Sequence, residues 1–171
     1  MQPRRDENVE RQIVALLPRL RRFAMSLTGN LTDADDLVQD TVERALKNIG
    51  RWEPGTRLDS WLYRIAQNRF IDGMRQRRQR KLVPESETDR ELSIDGTRTA
   101  EARLMLAQAV KAMQSLPDEQ RVVASLVLVE GFGYQETADI LNVPIGTVTS
   151  RLARAREALA ARLNQTTEAA P

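Results

Sequence analysis

YQETADILNVPIGTVTSRLARAREAL, residues 134–159, is the part of the sequence that decides the fold. It contains two short amphipathic segments around a turn that ends at Pro144, a residue that cannot continue a helix but is well placed to start one. The first segment places Ala138 and Leu141 on one side, and the second repeats apolar residues at helical spacing. This pattern predicts a helix-turn-helix, a motif that places one helix in the major groove of DNA.

The outer face of the second segment carries hydroxyl groups and arginines, which can reach base edges and phosphates. Free backbone N–H groups at the start of the helix can also receive a phosphate. An ordinary helical hairpin with a basic, solvated face is the simpler alternative, and the motif alone leaves it open. The candidate duplex-binding residues of this face are Gly146, Thr147, Thr149, Ser150, Arg151 and Arg154.

The composition is that of a small helical protein without the usual catalytic groups. Hydrophobic residues make up 41% of the 171 residues, charged residues 29% and aromatic residues only 4%. Cysteine and histidine are both absent, which removes the common nucleophile–base pairs and nearly all zinc sites. The amino terminus lacks the apolar segment of a signal peptide, and the longest apolar run is too short to span a bilayer. We therefore expect a soluble, cytoplasmic protein without a cofactor or membrane insertion.

The net charge of +2 conceals an uneven distribution of basic residues. Residues 1–80 hold 16 basic and 11 acidic residues, whereas residues 99–171 hold 7 and 8. The excess is densest in RQRRQRK, residues 75–81, where five of seven residues are basic. A run this dense on a predicted helix favours contact with a polyanion over simple solvation. The candidate phosphate-binding residues are Arg75, Arg77, Arg78 and Arg80.

Apolar residues repeat at intervals of three and four in three segments of the first half. They predict one helix over residues 13–27 and a second that is capped by Thr32 or Asp33 and has Leu46 on its inner face. A third helix starts near Leu58 and continues into the basic run.

Residues 81–99 are polar, acidic and almost free of large apolar groups, so we interpret them as a flexible linker. After them come a predicted helix over residues 104–113, an almost wholly apolar helix over residues 122–129, and the helix-turn-helix. The predicted fold is therefore all-α, with small helical domains at residues 8–80 and 100–163 on a flexible tether.

Four motifs occur in a fixed order along the chain: DADDLVQDTVERAL at 33–46, SWLYRIAQNRFIDGMRQRR at 60–78, LPDEQR at 116–121 and GFGYQETADILNVPIGTVTSRLARAREAL at 131–159. Each motif is moderately specific alone, and their order and spacing in so short a chain are highly specific together. With them the sequence resembles bacterial sigma factors of the extracytoplasmic-function type, group 4 of the sigma-70 family. The resemblance covers about residues 10–80 and 100–163.

The resemblance implies a subunit that directs promoter-specific transcription and is not itself an enzyme. Its first domain would be sigma domain 2, which binds the clamp helices of core RNA polymerase and opens the −10 element. Its second would be sigma domain 4, the helix-turn-helix domain that reads the −35 element and touches the polymerase flap. The implied partners are core RNA polymerase, promoter DNA and an anti-sigma factor, in a stress or envelope response.

One helix of the first domain matches the polymerase-binding helix of the family. From the residues alone, Leu37 and Val38 would simply be core residues, and the acidic residues suit the start of a helix. A metal site at Asp33, Asp36 and Asp40 is disfavoured, because nothing confines these groups into the cage of oxygens that divalent ions require. The implied polymerase-binding residues are Asp35, Asp36, Leu37, Val38, Gln39 and Asp40.

The third predicted helix matches the −10 helix of the family, and Arg64 and Asn68 lie four apart on one of its faces. The preceding loop, residues 49–57, matches the segment that captures a flipped base. Trp52 is the only aromatic residue of this loop. A role in anchoring the loop by hydrophobic contact explains its presence as well as a role in base capture. We expect Trp61 to belong to the core. The implied −10 residues are Trp52, Arg64, Asn68, Arg69, Arg75, Arg77, Arg78 and Arg80.

The sequence departs from the family at Thr149, where many members carry lysine or arginine, and this weakens the assignment of particular −35 contacts. Without a cysteine- or histidine-based sensor, we expect regulation by an anti-sigma factor or through a response-regulator mimic. Two other classes remain open: a stand-alone helix-turn-helix regulator, and a sigma mimic that acts as a decoy for an anti-sigma factor. An enzyme is the least supported class, because no plausible active site is present.

Overall fold

The computed structural model describes residues 3–80 and 99–168, with side chains for residues 8–80 and 99–164. Every regular element in these ranges is helical, which confirms the all-α prediction. Residues 81–98 of the predicted linker lie outside the described part. Within the described ranges, no helix is both long enough and apolar enough to cross a membrane.

The described ranges form two modules, which we call the first module (residues 3–80) and the second module (residues 99–168). The first contains α1 (Pro3–Thr28), α2 (Leu31–Lys47), a 3-10 turn (Ile49–Arg51) and α3 (Leu58–Arg80). The second contains α4 (Ala100–Gln114), α5 (Asp118–Ala124), a π turn (Ser125–Val129), α6 (Tyr134–Leu141) and α7 (Ile145–Glu168).

The junction between α1 and α2 depends on two adjacent residues. Gly29 ends α1 with φ of +78°, a conformation that glycine adopts without steric cost. The cap of α2 is Asn30, whose side-chain oxygen accepts from the Asp33 N–H at 2.9 Å. The predicted cap at Thr32 or Asp33 is therefore wrong by two or three residues, because the helix starts directly after the glycine.

The first module has its own cluster of buried residues, in which α1, α2 and α3 meet: Val9, Ile13, Ala45, Leu58 and Leu62. Ala45 takes the buried position in the last turn of α2 and is fully buried, which turns the adjacent Leu46 outward. Leu46 is 42% exposed, so its predicted inward position is wrong.

The helix-turn-helix forms as the sequence predicts. Asn142 ends α6 in the left-handed conformation, with φ of 53°, and α7 begins three residues later. Ala138 packs against Val148 and Leu152 in one buried cluster, where a small side chain lets the two helices approach closely. This packing fixes α7 to the rest of the second module.

The two modules also pack against each other, an arrangement that the tethered-module prediction did not contain. The largest buried cluster joins Phe23 and Tyr63 of the first module to Leu126, Phe132 and Ile140 of the second. The Tyr63 ring meets Phe23 and Phe132 edge to face, with centroid distances of 4.9 and 5.2 Å. Such pairs stabilise by about 0.5–1.5 kcal/mol each beyond the area they bury. The described helices thus share one core.

Candidate nucleic-acid interface

A cleft of about 410 Å³ opens between α2, the 3-10 turn and α3. Guanidinium groups on its walls can hold phosphates, amides can reach base edges, and an indole with a neighbouring aliphatic side chain offers an apolar surface for a base. This is the chemistry of a site for an unpaired nucleic-acid strand. The lining residues are Arg44, Asn48, Arg51, Trp61, Ile65, Asn68, Arg69 and Asp72.

Asp40 positions two of these arginines. Its carboxylate accepts a hydrogen bond from Arg69 and lies 3.4 Å from Arg44 Nε. Partial burial would raise the pKa of Asp40, but the hydrogen bond from Arg69 and the charges of both arginines lower it overall. The carboxylate therefore stays ionised at neutral pH and keeps both guanidinium groups beside the cleft.

The predicted −10 residues of α3 do not share one face. Asn68 and Arg69 line the cleft, whereas Arg64 donates to the backbone carbonyls of Asp139 and Ile140 in α6, at 2.6 and 3.2 Å. Arg64 and Asn68, although four residues apart on α3, thus point to different neighbours.

The basic run at the end of α3 is exposed, as a phosphate-binding segment requires. Arg78 nevertheless pairs with Asp118 of α5, and Arg77 lies 3.9 Å from Asp33. Arg75 faces a second, smaller cleft between the modules, and Arg80 is exposed at the helix end.

The two tryptophans both pack against the buried cluster of the first module. Trp52 packs against the cluster around Leu58 and Leu62, and its buried Nε1 has no hydrogen-bond partner within the described residues. This geometry favours hydrophobic anchoring of the loop. Trp61, predicted to be core, also packs against that cluster but is only partly buried and reaches the cleft.

Sequence reasoning missed Arg44, Asn48 and Arg51 as members of the cleft. The signal was present, because Asp40, Arg44 and Asn48 follow one another at intervals of four and so share one stripe of α2. The sequence alone does not show that this stripe of α2 faces α3.

The predicted polymerase-binding residues divide into an outer and an inner group. Asp35, Asp36 and Gln39 are exposed on α2, and Asp35 accepts two hydrogen bonds from Arg21, at 2.7 and 3.0 Å. Leu37 is buried and Val38 packs against the shared core. Asp40 faces α3, as described above. No group of three or more residues suited to a metal ion occurs in the described ranges.

The outer face of α7 remains open in this arrangement. Gly146, Thr149, Ser150 and Arg154 are exposed, and Thr147 is half-buried. The hydroxyls of Thr149 and Ser150 donate to carbonyls one turn back in the helix, at 3.0 and 3.1 Å. Arg151 is held by a hydrogen bond to Glu119 of α5.

Fold and surfaces together define a two-module helical protein with a cleft lined by arginines in the first module and an exposed polar helix face in the second. Residues 13–80 match the family described as Sigma-70 region 2, and residues 106–159 match Sigma-70, region 4. The ECF RNA polymerase sigma factor EcfG of Rhodopseudomonas palustris is 38% identical over 157 residues, which cover 92% of this chain and 86% of that protein. The chain belongs to the extracytoplasmic-function RNA polymerase sigma factors, and it is a transcription initiation factor.

Two solved structures have a similar fold over both modules. The sigma factor RpoE of Bartonella quintana, in complex with the anti-sigma factor NepR, superposes with a TM-score of 0.76 at 31% identity, over 92% of this chain and 98% of that one. CnrH, in complex with the cytosolic domain of CnrY, gives 0.69 at 27% identity, over 92% and 88%.

Proposed function

We propose that the two modules of this sigma factor divide promoter recognition between an unpaired strand and a duplex. The cleft between α2 and α3 receives the displaced strand of the −10 element, and the outer face of α7 enters the major groove of the −35 element. The observation that carries this proposal is the cleft, which combines three arginines, two asparagines and the exposed part of one indole.

The exposed acids of α2 form the surface for core polymerase. Asp35 and Asp36, with the neutral Gln39 beside them, lie on the outer side of the helix whose inner side packs into the core. They therefore remain accessible while the cleft is occupied by DNA. An acidic face of this kind fits a basic partner surface and accelerates the encounter with it.

An anti-sigma factor controls the protein, in the cytoplasm where core polymerase is found. This part of the proposal rests on RpoE and CnrH, whose structures were solved with the anti-sigma factor NepR and with the cytosolic domain of CnrY. Each similarity extends over 92% of this chain and so includes both modules.

Transcription by purified core polymerase on genomic DNA, with RNA 5′ ends mapped with and without this protein, tests the proposal. We expect new start sites that share two spaced upstream elements. The double variant Arg44→Ala/Arg51→Ala should reduce transcription from these sites at least tenfold and weaken binding of a single-stranded −10 oligonucleotide at fixed salt.

Lys47→Ala/Lys111→Ala is the matched control, since it removes the same two positive charges from the last turns of α2 and α4 and neither lysine lines the cleft. It should leave both measurements unchanged. Absence of new start sites would reject the sigma function, and full activity of the double variant would reject the cleft as the strand-binding site.

A further inference from the structure

We propose that Asp72 determines the base specificity of the cleft between α2 and α3, and that it selects an unpaired guanine. This inference rests on the proposed function, because it names the base that one residue of the strand-binding cleft prefers. Asp72 lines the cleft from α3. It is a negatively charged group in a cleft whose other lining side chains are cationic, amide or apolar.

Asp72 differs from the nearby Asp40 in having no partner. Asp40 accepts a hydrogen bond from Arg69 and lies 3.4 Å from Arg44 Nε. Asp72 is exposed, and none of the described residues donates a hydrogen bond to its carboxylate or forms an ion pair with it. An ionised carboxylate accepts hydrogen bonds and repels phosphates. Both oxygens of Asp72 are therefore available to a ligand that donates.

The cationic groups of the cleft lie toward α2. Arg44 belongs to α2 and Arg51 to the 3-10 turn, while the hydrogen bond to Asp40 draws the Arg69 guanidinium toward α2. The wall formed by α3 also carries Trp61, Ile65, Asn68 and Asp72. A strand in the cleft therefore places its phosphates toward α2 and its bases toward α3, where the carboxylate waits for a base rather than for the backbone.

Asn68 and Asp72 form a polar pair on this wall. They are four residues apart, so they share one face of α3 and lie about 6 Å apart along its axis. Gln67 donates to the side-chain oxygen of Asn68, which leaves the Asn68 NH2 group to donate to a ligand. The pair thus offers a donor at Asn68 and two acceptors at Asp72, which can contact one base edge together.

Guanine is the base whose Watson–Crick edge complements this pair. It presents the acceptor O6 beside two donors, N1–H and the 2-amino group, which match the two oxygens of a carboxylate. Adenine and cytosine present one amino group next to a ring nitrogen that only accepts, and thymine presents one N–H between two carbonyls. Unpaired bases are read on these edges. Asp72 should therefore prefer guanine over each of the other three bases.

Holoenzyme reconstituted from core polymerase and the full-length protein tests this preference. The templates are barcoded copies of a mapped promoter with a randomised −10 element, and RNA sequencing counts the transcripts from each. The wild type should favour guanine at one position roughly tenfold over the other bases. Asp72→Ala and Asp72→Asn should abolish that preference and transcribe the templates without guanine at least as well as the wild type, because no contact to phosphate is lost.

Glu10→Ala is the matched control, because it removes one negative charge from the exposed side of α1. It should leave the base preference unchanged.

Inosine at the preferred position tests the contact at the level of one group, because it lacks only the 2-amino group of guanine. Mismatches that hold the −10 element open remove any effect of base-pair strength. On such templates, inosine should reduce transcription by the wild type roughly tenfold, the effect of losing one hydrogen bond to a charged group. Asp72→Ala should transcribe the guanine and inosine templates equally.

Absence of a guanine preference in the wild type, or the same preference in Asp72→Ala, would reject the inference while the sigma function stands. A uniform fall of Asp72→Ala on all templates would assign Asp72 a structural role and also reject it. Equal sensitivity of wild type and Asp72→Ala to inosine would assign guanine recognition to another residue. If the wild type produces no new start sites, the sigma function itself is rejected.

Discussion

At the scale of single residues, Gly29 has the most demanding position in the described chain segments. Its φ of +78° favours glycine, and a Cβ added there would lie 2.7 Å from Cδ of Gln114. Gln114 in turn donates to the Ser26 carbonyl. Gly29 therefore ends α1 and also leaves the space that the Gln114 side chain occupies at the contact between the modules.

Gly29→Ala should destabilise the protein by about 1–2 kcal/mol, because alanine is strained at this φ and displaces the Gln114 side chain. The expected effect is a fall in Tm of roughly 2–8 °C, measured by circular dichroism. Gly73→Ala is the control, since Gly73 lies inside α3, a Cβ added there would meet open space, and alanine favours the helix. A Tm equal to that of the wild type in Gly29→Ala would contradict the role given to this glycine.

At the scale of elements, the helices were predictable because their signals are local. Periodicity, Gly29 and Pro144 place the end of α1 and the starts of α3, α6 and α7 close to where they are observed, whereas α1 begins at Pro3, ten residues before the predicted start. The contact between modules was not predictable, because the sequence pattern around Tyr63, Phe132 and similar residues is equally consistent with burial inside one module and with burial between the two. The same limit applies to the cleft, whose arginines on α2 become a site only when α3 lies beside them.

The outer face of α7 leads to a prediction that separates two arginines. Arg154 is exposed, whereas Arg151 is held by Glu119. Arg154→Ala should weaken binding to duplex containing the mapped −35 element roughly tenfold, the effect of losing one good DNA contact. Titration at fixed salt measures it, with Arg44→Ala as the control that should leave this duplex affinity unchanged. Equal affinity of Arg154→Ala and wild type would exclude this arginine from the duplex site.

At the scale of the whole molecule, the three surfaces of the proposed function are separated. The acidic face of α2 points away from the shared core, the cleft opens on the other side of the same helix, and the outer face of α7 belongs to the second module. Changes at one surface should therefore leave the others intact. Asp40 is the exception, because it faces α3 and holds Arg69 in the cleft.

Asp36→Lys uses this separation to test the polymerase surface without disturbing the cleft. The charge reversal should weaken binding to core polymerase at least tenfold, because like charges then face each other across the contact. Affinity for a single-stranded −10 oligonucleotide should not fall. Fluorescence anisotropy with labelled protein measures the first quantity, and Glu10→Lys on α1 is the control. Undiminished polymerase affinity of Asp36→Lys would remove α2 from the polymerase interface.

Both tryptophans of the sequence, Trp52 and Trp61, pack against the same cluster of the first module. Their ultraviolet emission is therefore an optical probe of that module alone, while the far-ultraviolet signal averages over all helices. Recorded together during denaturation, the two signals distinguish a molecule that melts in a single cooperative step from one whose halves melt in succession. The chain thus carries its own spectroscopic label for one half, and no dye is needed to follow it.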